Sequence, residues 1–133
     1  MVQAKTKEEV EQITLFSWAE FAKNKYPELD LMYHVPNEGK RSAATGARLK
    51  AEGLKAGVPD VCLPTAHGGY IGLYIEMKVK PNKPTEQQKQ WLRDLREAGH
   101  FTAICYTWEE AKDLIEEYIR LPLTISKGEQ KNG

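Results

Sequence analysis

Residues 57–79 read GVPDVCLPTAHGGYIGLYIEMKV and contain the clearest secondary-structure signal of the chain. Two apolar runs, at 61–63 and 70–79, flank a polar segment that contains the pair Gly68-Gly69. Two runs of strand-forming residues on either side of a glycine-rich turn are typical of a β-hairpin. We therefore predict a hairpin whose tightest point is Gly68-Gly69.

The hairpin carries charged residues in positions that look buried. Asp60 opens the first strand, and Glu76 and Lys78 lie in the second. Because side chains alternate along a strand, Glu76 and Lys78 share a face. Folding about the glycine pair places residue 60 opposite residue 76 or 77. The two carboxylates should then be neighbours, although a one-residue change of register decides whether they share a face.

Two converging carboxylates repel each other, and a hard divalent cation relieves that repulsion. Magnesium prefers oxygen ligands and keeps several waters, which suits a site that also holds a substrate phosphate. A neighbouring lysine can orient the attacking water or neutralise charge that grows on the phosphate. The alternative is a buried ion pair between Glu76 and Lys78, with Asp60 incidental. The residues of the hairpin leave both interpretations open.

Capping motifs and apolar runs extend the prediction to the rest of the chain. Capping boxes begin three helices, at Thr6 with Glu9, Thr85 with Gln88 and Thr107 with Glu110, and Ser42 can cap a fourth. We predict helices over 6–25, 42–52, 85–98 and 107–120, and strands over 31–35, 61–63, 70–79 and 101–105. This order predicts an α/β fold with a mixed central sheet flanked by helices. We expect one domain over residues 1–125 and a frayed tail at 126–133.

The composition favours a cytoplasmic protein. No apolar run approaches the ~20 residues that a membrane helix needs, and the first residues carry no signal-peptide core. The two cysteines, Cys62 and Cys105, lie in apolar strand-like runs and are predicted to be reduced core residues. The three histidines share no spacing, and we assign them no catalytic role.

The overall charge does not point to nucleic acid, because 19 basic residues balance 19 acidic ones. The basic residues are nevertheless clustered, at 40–55 and at 78–96. A local basic face on a neutral protein can hold a phosphate backbone, and solvated helix faces explain the clusters equally well. The candidate DNA-binding residues from the first cluster and its preceding loop are Asn37, Lys40, Arg41, Arg48, Lys50 and Lys55.

Four short motifs, taken in order, resemble one nuclease family. They are NEGKR at 37–41, GVPD at 57–60, IEMK at 75–78 and QKQWL at 88–92. Together they resemble the virus-type replication-repair nuclease (VRR-NUC) domain of the PD-(D/E)xK superfamily, over roughly residues 8–115. The resemblance implies a restriction-endonuclease-like core and hydrolysis of DNA phosphodiesters that depends on Mg²⁺ or Mn²⁺.

The resemblance also implies residue roles. Asp60 and Glu76 would be metal ligands together with the main-chain carbonyl of Met77. Lys78 would be the catalytic lysine, and Gln88 would support the site by hydrogen bonding. The capping box that begins at Thr85 explains Gln88 equally well.

The family uses a further glutamate from the first helix, and Glu11 is our match. Glu11 shares one helix face with Leu15, Trp18 and Ala22, so it borders the apolar side of that helix. Glu8, one turn earlier, is the alternative ligand. A simple position at the boundary of the apolar face would also explain Glu11.

For the whole molecule, the resemblance implies a homodimer that acts on branched DNA such as four-way (Holliday) junctions. It also suggests a phage or prophage source. The alternatives are a general duplex or flap nuclease, a DNA-binding module that has lost catalysis, and a metal-free scaffold that acts in protein assembly.

Overall fold

The computed structural model describes residues 5–36 and 42–124. Within these residues, four α-helices flank a mixed sheet of four strands, so the predicted α/β class is confirmed. The helices are α1 (Lys7–Ala22), α2 (Ala43–Ala51), α3 (Glu86–Glu97) and α4 (Trp108–Arg120), and the strands are β1 (Tyr33–His34), β2 (Val61–Leu63), β3 (Leu73–Met77) and β4 (Phe101–Cys105). The strand order is β1-β2-β3-β4, with antiparallel pairing up to β3 and parallel pairing between β3 and β4.

The helices begin where the capping residues predicted. Thr6 accepts a hydrogen bond from the Glu9 N–H, and the Glu9 carboxylate accepts one from the Thr6 N–H. Thr85 and Gln88 form the same reciprocal box, and Ser42 caps α2. At α4 the box is only half formed, because Thr107 caps the helix while the Glu110 carboxylate accepts from the Tyr106 N–H. The first helix is shorter than predicted and ends at Ala22.

The hairpin is confirmed, but its second strand starts three residues later than predicted. Gly68 and Gly69 have φ values of +60° and +87°, which favour glycine, and they form the turn between His67 and Tyr70. The Ile71 N–H then donates to the Gly99 carbonyl rather than to β2, so regular pairing resumes only at Leu73.

The strand predicted over residues 31–35 is reduced to two residues. A 3₁₀ helix at Pro27–Leu31 takes the preceding positions. Pro27 sets the backbone angle at its first turn, and Leu29 at its centre is buried in the core. Burial of Leu29 by this turn leaves only Tyr33 and His34 to pair with β2.

Helix α4 contacts both β4 and α1, and the buried side chains of α1 and α4 share one hydrophobic core with those of the sheet. Cys62 and Cys105 are buried and unbridged, as predicted for the two thiols. The opposite face of α1 also carries apolar side chains, and it exposes Val10, Ile13 and Phe21. The core is built mainly from Leu15, Ala19, Val61, Leu63, Leu73, Ile75, Met77, Ala111, Ile115 and Tyr118.

A buried histidine joins three distant segments behind the hairpin turn. His67 is 2% exposed, and its Nδ1 lies 3.0 Å from the Leu121 carbonyl oxygen. Its Nε2 lies 2.7 Å from a carboxylate oxygen of Glu28 in the 3₁₀ helix. The Tyr118 hydroxyl, whose ring packs edge-on against His67, donates to the Thr65 carbonyl. This histidine therefore has a structural explanation, in keeping with its omission from the catalytic candidates.

Within the described ranges, no helix is long and apolar enough to cross a membrane. The predicted frayed tail and three of the candidate DNA-binding residues, Asn37, Lys40 and Arg41, lie outside the described residues.

Candidate active site

The register of the hairpin brings the two carboxylates of the motif to one place. Val61 pairs with Ile75 and Cys62 with Tyr74, so the position before β2, Asp60, falls opposite Glu76. Asp60 is 7% exposed and Glu76 is 1% exposed. Two acidic groups therefore lie side by side at the edge of an apolar core, where each charge destabilises the other.

Glu76 has too few partners for an ionised carboxylate. Within the described parts of the chain, its Oε1 is buried and has no hydrogen-bond partner. Its Oε2 lies 3.9 Å from Nζ of Lys78, a long contact for an ion pair. Burial, followed by the charge and hydrogen bonding of Asp60, raises the pKa of Glu76 to about 9, against the opposing effect of Lys78. A simple buried Glu76–Lys78 pair would leave one carboxylate oxygen unsatisfied.

Asp60 is held in place from several sides. Its Oδ2 accepts a hydrogen bond of 2.8 Å from the Met77 N–H, which places the main chain of residue 77 beside the carboxylates. Its main-chain carbonyl accepts from the Val35 N–H at 2.7 Å and from Nδ1 of His34 at 2.9 Å. The fold thus fixes both the backbone and the carboxylate of Asp60.

The structure places Glu8, rather than Glu11, beside these carboxylates. Glu8 and Asp60 line one cavity of about 540 Å³. Burial raises the pKa of Glu8; the charge of Lys78 opposes the rise and that of Asp60 adds to it. Glu11 turns instead toward α4, where its Oε2 accepts a hydrogen bond of 2.8 Å from the Trp108 N–H. Of the two candidate glutamates, Glu8 is therefore the one that shares a cavity with Asp60, whereas Glu11 faces α4.

Gln88 is engaged in capping rather than in the site. Its side-chain oxygen accepts a hydrogen bond of 2.8 Å from the Thr85 N–H. Over residues 5–36 and 42–124 its side chain makes no hydrogen bond to Asp60, Glu76 or Lys78. The capping contacts involve the side-chain oxygen and the main-chain N–H of Gln88.

The candidate DNA-binding residues that the structure describes lie on and after α2, which buries none of its own residues. Arg48 is exposed and lies 3.7 Å from the Glu52 carboxylate. Lys50 and Lys55 are exposed. The structure therefore leaves these three side chains on the surface and adds no contact that would assign them to DNA.

Sequence reasoning missed several residues that line the cavity with Glu8 and Asp60. Besides Val79, they are Thr6, Lys7, Glu9, Gln12, His34 and Asn82. His34 reaches the site only because β1 pairs with β2, and this pairing has no local signal in the sequence. Lys7 and Gln12 lie on α1, and their place depends on how that helix is rotated about its axis.

The oxygen donors fit a hard divalent cation. Among the residues that the structure describes, no three His, Cys, Asp or Glu side chains already form a tight ligand cluster. The unpaired, buried Glu76 Oε1 beside the Asp60 carboxylate is nevertheless the arrangement that a cation would stabilise. The donors are all oxygen atoms, as Mg²⁺ and Mn²⁺ prefer.

Comparison with known proteins shows the family of the chain. The VRR-NUC domain matches residues 4–108 of the chain. A solved structure titled "VRR_NUC domain protein" is 28% identical, with a TM-score of 0.76, and the match covers 90% of this chain and 93% of that one. Among the curated proteins none matches. VRR-NUC is a nuclease family, typically metal-dependent. The family match and the structural match together show that this chain belongs to the VRR-NUC family.

Proposed function

We propose that the protein is a metal-dependent endonuclease that hydrolyses DNA phosphodiester bonds. The observation that carries the proposal is the buried Glu76 carboxylate, which has one oxygen without a partner and lies beside Asp60. Such a buried acidic pair does not favour stability, since two apolar side chains of similar size would be less costly to bury.

Asp60 and Glu76 are the proposed ligands of Mg²⁺ or Mn²⁺, together with the main-chain carbonyl of Met77. Glu8 replaces Glu11 as the first-helix ligand, because it shares a cavity with Asp60. When bound, the metal supplies Lewis-acid chemistry, lowering the pKa of a water molecule and neutralising phosphate charge. The carboxylates orient the site, and their burial strengthens each electrostatic interaction made there.

Lys78 is the proposed catalytic lysine. Its side chain is 12% exposed, so the ammonium lies at the boundary between the core and the solvent. From this position it can donate a hydrogen bond to an attacking water or to a phosphate oxygen that gains negative charge. Its 3.9 Å separation from Glu76 leaves it able to turn toward a substrate.

DNA is the proposed substrate, and branched DNA such as a four-way junction is the preferred form. Two matched cuts resolve a junction, and two sites related by a two-fold axis provide them, so we propose a homodimer. Asn37, Lys40, Arg41, Arg48, Lys50 and Lys55 are proposed to contact the DNA backbone. The junction preference, the dimer and a cytoplasmic phage or prophage setting rest on the family resemblance.

A cleavage assay on matched duplex, flap and four-way-junction DNA tests this function. We expect cleavage with Mg²⁺ or Mn²⁺ and none in excess EDTA. Full activity in chelator would contradict the metal dependence. If light scattering shows a monomer and the assay shows that it cuts duplex as fast as junctions, these results would be consistent with a nuclease and would contradict the junction preference. Binding without cleavage in any metal would favour the inactive DNA-binding module.

A further inference from the structure

A second and larger cavity adjoins the one that Glu8 and Asp60 line. It has a volume of about 620 Å³, within the range of about 300–1,000 Å³ that is usual for ligand pockets. The two cavities share Lys7 and Val79, so the second lies next to the one that Glu8 and Asp60 line. Its lining is Lys5, Lys7, Val10, Glu11, Val79, Lys80, Tyr106, Thr107 and Glu110.

The acidic groups of this second cavity are already engaged. The Glu11 carboxylate accepts a hydrogen bond from the Trp108 N–H, and the Glu110 carboxylate accepts one of 2.7 Å from the Tyr106 N–H. The amino-terminal end of α4 is therefore neutralised by the protein itself and is not a vacant anion site. What remains for a ligand is an apolar surface formed by Val10, Val79 and the ring of Tyr106.

Basic side chains surround this apolar surface. Lys5, Lys7 and Lys80 line the cavity, and in the described ranges none of them lies within ion-pair distance of a carboxylate. Such lysines are suited to phosphate oxygens. An apolar floor with a cationic rim matches a nucleotide, which has a flat base and a charged backbone.

Tyr106 is the aromatic surface on which a base could stack. The residue is half-buried, and Nζ of Lys80 lies 5.8 Å from the centre of its ring. A smaller cavity of about 380 Å³ is also lined by Lys80 and Tyr106, and it adds Lys83 and Asn82. Tyr106 thus lines two cavities, each of which has a lysine that the other lacks. Proteins that bind single strands combine an aromatic platform and a basic groove in this way.

We propose that the cavity around Tyr106 binds an unpaired nucleotide next to the phosphate that is cut. The base stacks on Tyr106, and the flanking phosphates contact Lys5, Lys7 and Lys80. This inference rests on the proposed nuclease function and adds to it a preference for an unpaired nucleotide beside the cleavage point, as at a flap or at an opened branch point. A base within a continuous duplex is stacked and paired, so it cannot enter the cavity without first leaving the helix.

The test compares Tyr106→Leu with Tyr106→Phe in the full chain, both carrying Lys78→Ala so that DNA is not cut. The probes are an intact duplex and the same duplex with a short unpaired segment that contains 2-aminopurine. We expect Tyr106→Leu to weaken binding of the probe with the unpaired segment about tenfold, with little change in binding of the intact duplex. The phenylalanine variant should bind like Lys78→Ala alone. The fluorescence of 2-aminopurine should be quenched in every protein except the leucine variant.

Phe21→Leu is the matched control, because Phe21 is an aromatic residue that is 80% exposed on α1 and lines neither cavity. Melting temperatures show whether each variant folds. If Tyr106→Leu does not fold, the double variant Lys5→Ala, Lys80→Ala should show the same selective loss.

Equal losses on both probes, or no loss on either, would overturn the nucleotide site while leaving the nuclease function intact. Absence of any DNA cleavage by the parent protein with Mg²⁺ and with Mn²⁺ would instead overturn the proposed function, and the nucleotide site with it.

Discussion

The carboxylate of Asp60 accepts a hydrogen bond of 2.8 Å from the main-chain N–H of Met77. This bond joins the residue before β2 to the last residue of β3, so Asp60 helps to hold the strand ends together. Asp60 therefore has two separable properties, an acceptor oxygen for the backbone and a negative charge for a metal.

Substitution of Asp60 should separate these properties. Asp60→Asn retains an acceptor for the Met77 N–H but loses the charge, so metal binding should fall while stability is largely kept. Asp60→Ala loses both and leaves a buried N–H unpaired, which should lower the free energy of unfolding by about 1–3 kcal/mol. Denaturant unfolding and calorimetric metal titration measure the two effects. Equal stability of the two variants would show that this hydrogen bond does not stabilise the fold.

Glu76→Gln should stabilise the metal-free protein. Burial raises the pKa of Glu76 to about 9, so near neutral pH the folded state holds a proton that the unfolded chain has released. The substitution removes the cost of this proton uptake, so the melting temperature without metal should rise. In the parent, a hundredfold excess of Mg²⁺ or Mn²⁺ over Kd should add about 2.7 kcal/mol to the free energy of unfolding. Glu76→Gln should lose most of this response. An undiminished response to metal in the variant would place the cation elsewhere.

Glu8 and Glu11 form a matched pair on α1. Glu8→Gln should weaken metal binding and cleavage, because Glu8 shares a cavity with Asp60. Glu11→Gln should leave metal affinity almost unchanged. It keeps an acceptor for the Trp108 N–H but loses a negative charge at the start of α4, so it should cost about 0.3–1 kcal/mol of stability. Titration calorimetry and thermal melts of both variants decide the assignment. The reverse pattern would restore Glu11 as the ligand.

The sequence alone does not determine which of these two glutamates faces Asp60. The apolar stripe correctly placed Glu11 at the border of the inner face of α1, which buries Leu15 and Ala22. Val10, Ile13 and Phe21 place apolar side chains on the opposite face as well, so the sequence does not define the rotation of the helix sharply. Which neighbour each glutamate meets depends on the packing of α4 against α1, a contact between segments about a hundred residues apart.

Features encoded by adjacent residues were predicted well. The caps at Thr6, Ser42 and Thr85 were confirmed because capping needs only residues three positions apart. The glycine turn determined the pairing that brings Asp60 opposite Glu76. The 3₁₀ helix before β1 was missed because the burial of Leu29, rather than a local strand preference, decides the path of that segment.

Lys78→Ala should abolish DNA cleavage and leave metal binding nearly intact. The ammonium is proposed to act on the substrate, whereas the carboxylates hold the metal. Lys89→Ala is the control, because that lysine is exposed on α3 and, among the described residues, forms an ion pair only with Glu86 one turn earlier. Single-turnover cleavage with calorimetric metal titration separates chemistry from binding. Parent-like cleavage by Lys78→Ala would rule out the catalytic role of the lysine.

His67→Ala should destabilise the fold by about 2–4 kcal/mol, because it leaves a cavity and removes two buried hydrogen bonds. Glu28→Gln keeps an acceptor near Nε2 and should cost less. Urea unfolding of both variants is the measurement. A smaller loss for His67→Ala than for Glu28→Gln would show that the histidine contributes little to joining these segments.

The proposed metal ligands come both from segments that are close in the sequence and from segments that are far apart in it. The hairpin that contains Asp60 and Glu76 is local, whereas α1 reaches its place by packing on α4 at the other end of the described chain. Contacts of such long separation tend to form late during folding. A cation that bridges Glu8 and Glu76 would then leave the refolding rate nearly unchanged and slow unfolding instead. Metal binding would in this way lengthen the lifetime of the native state by slowing the detachment of α1.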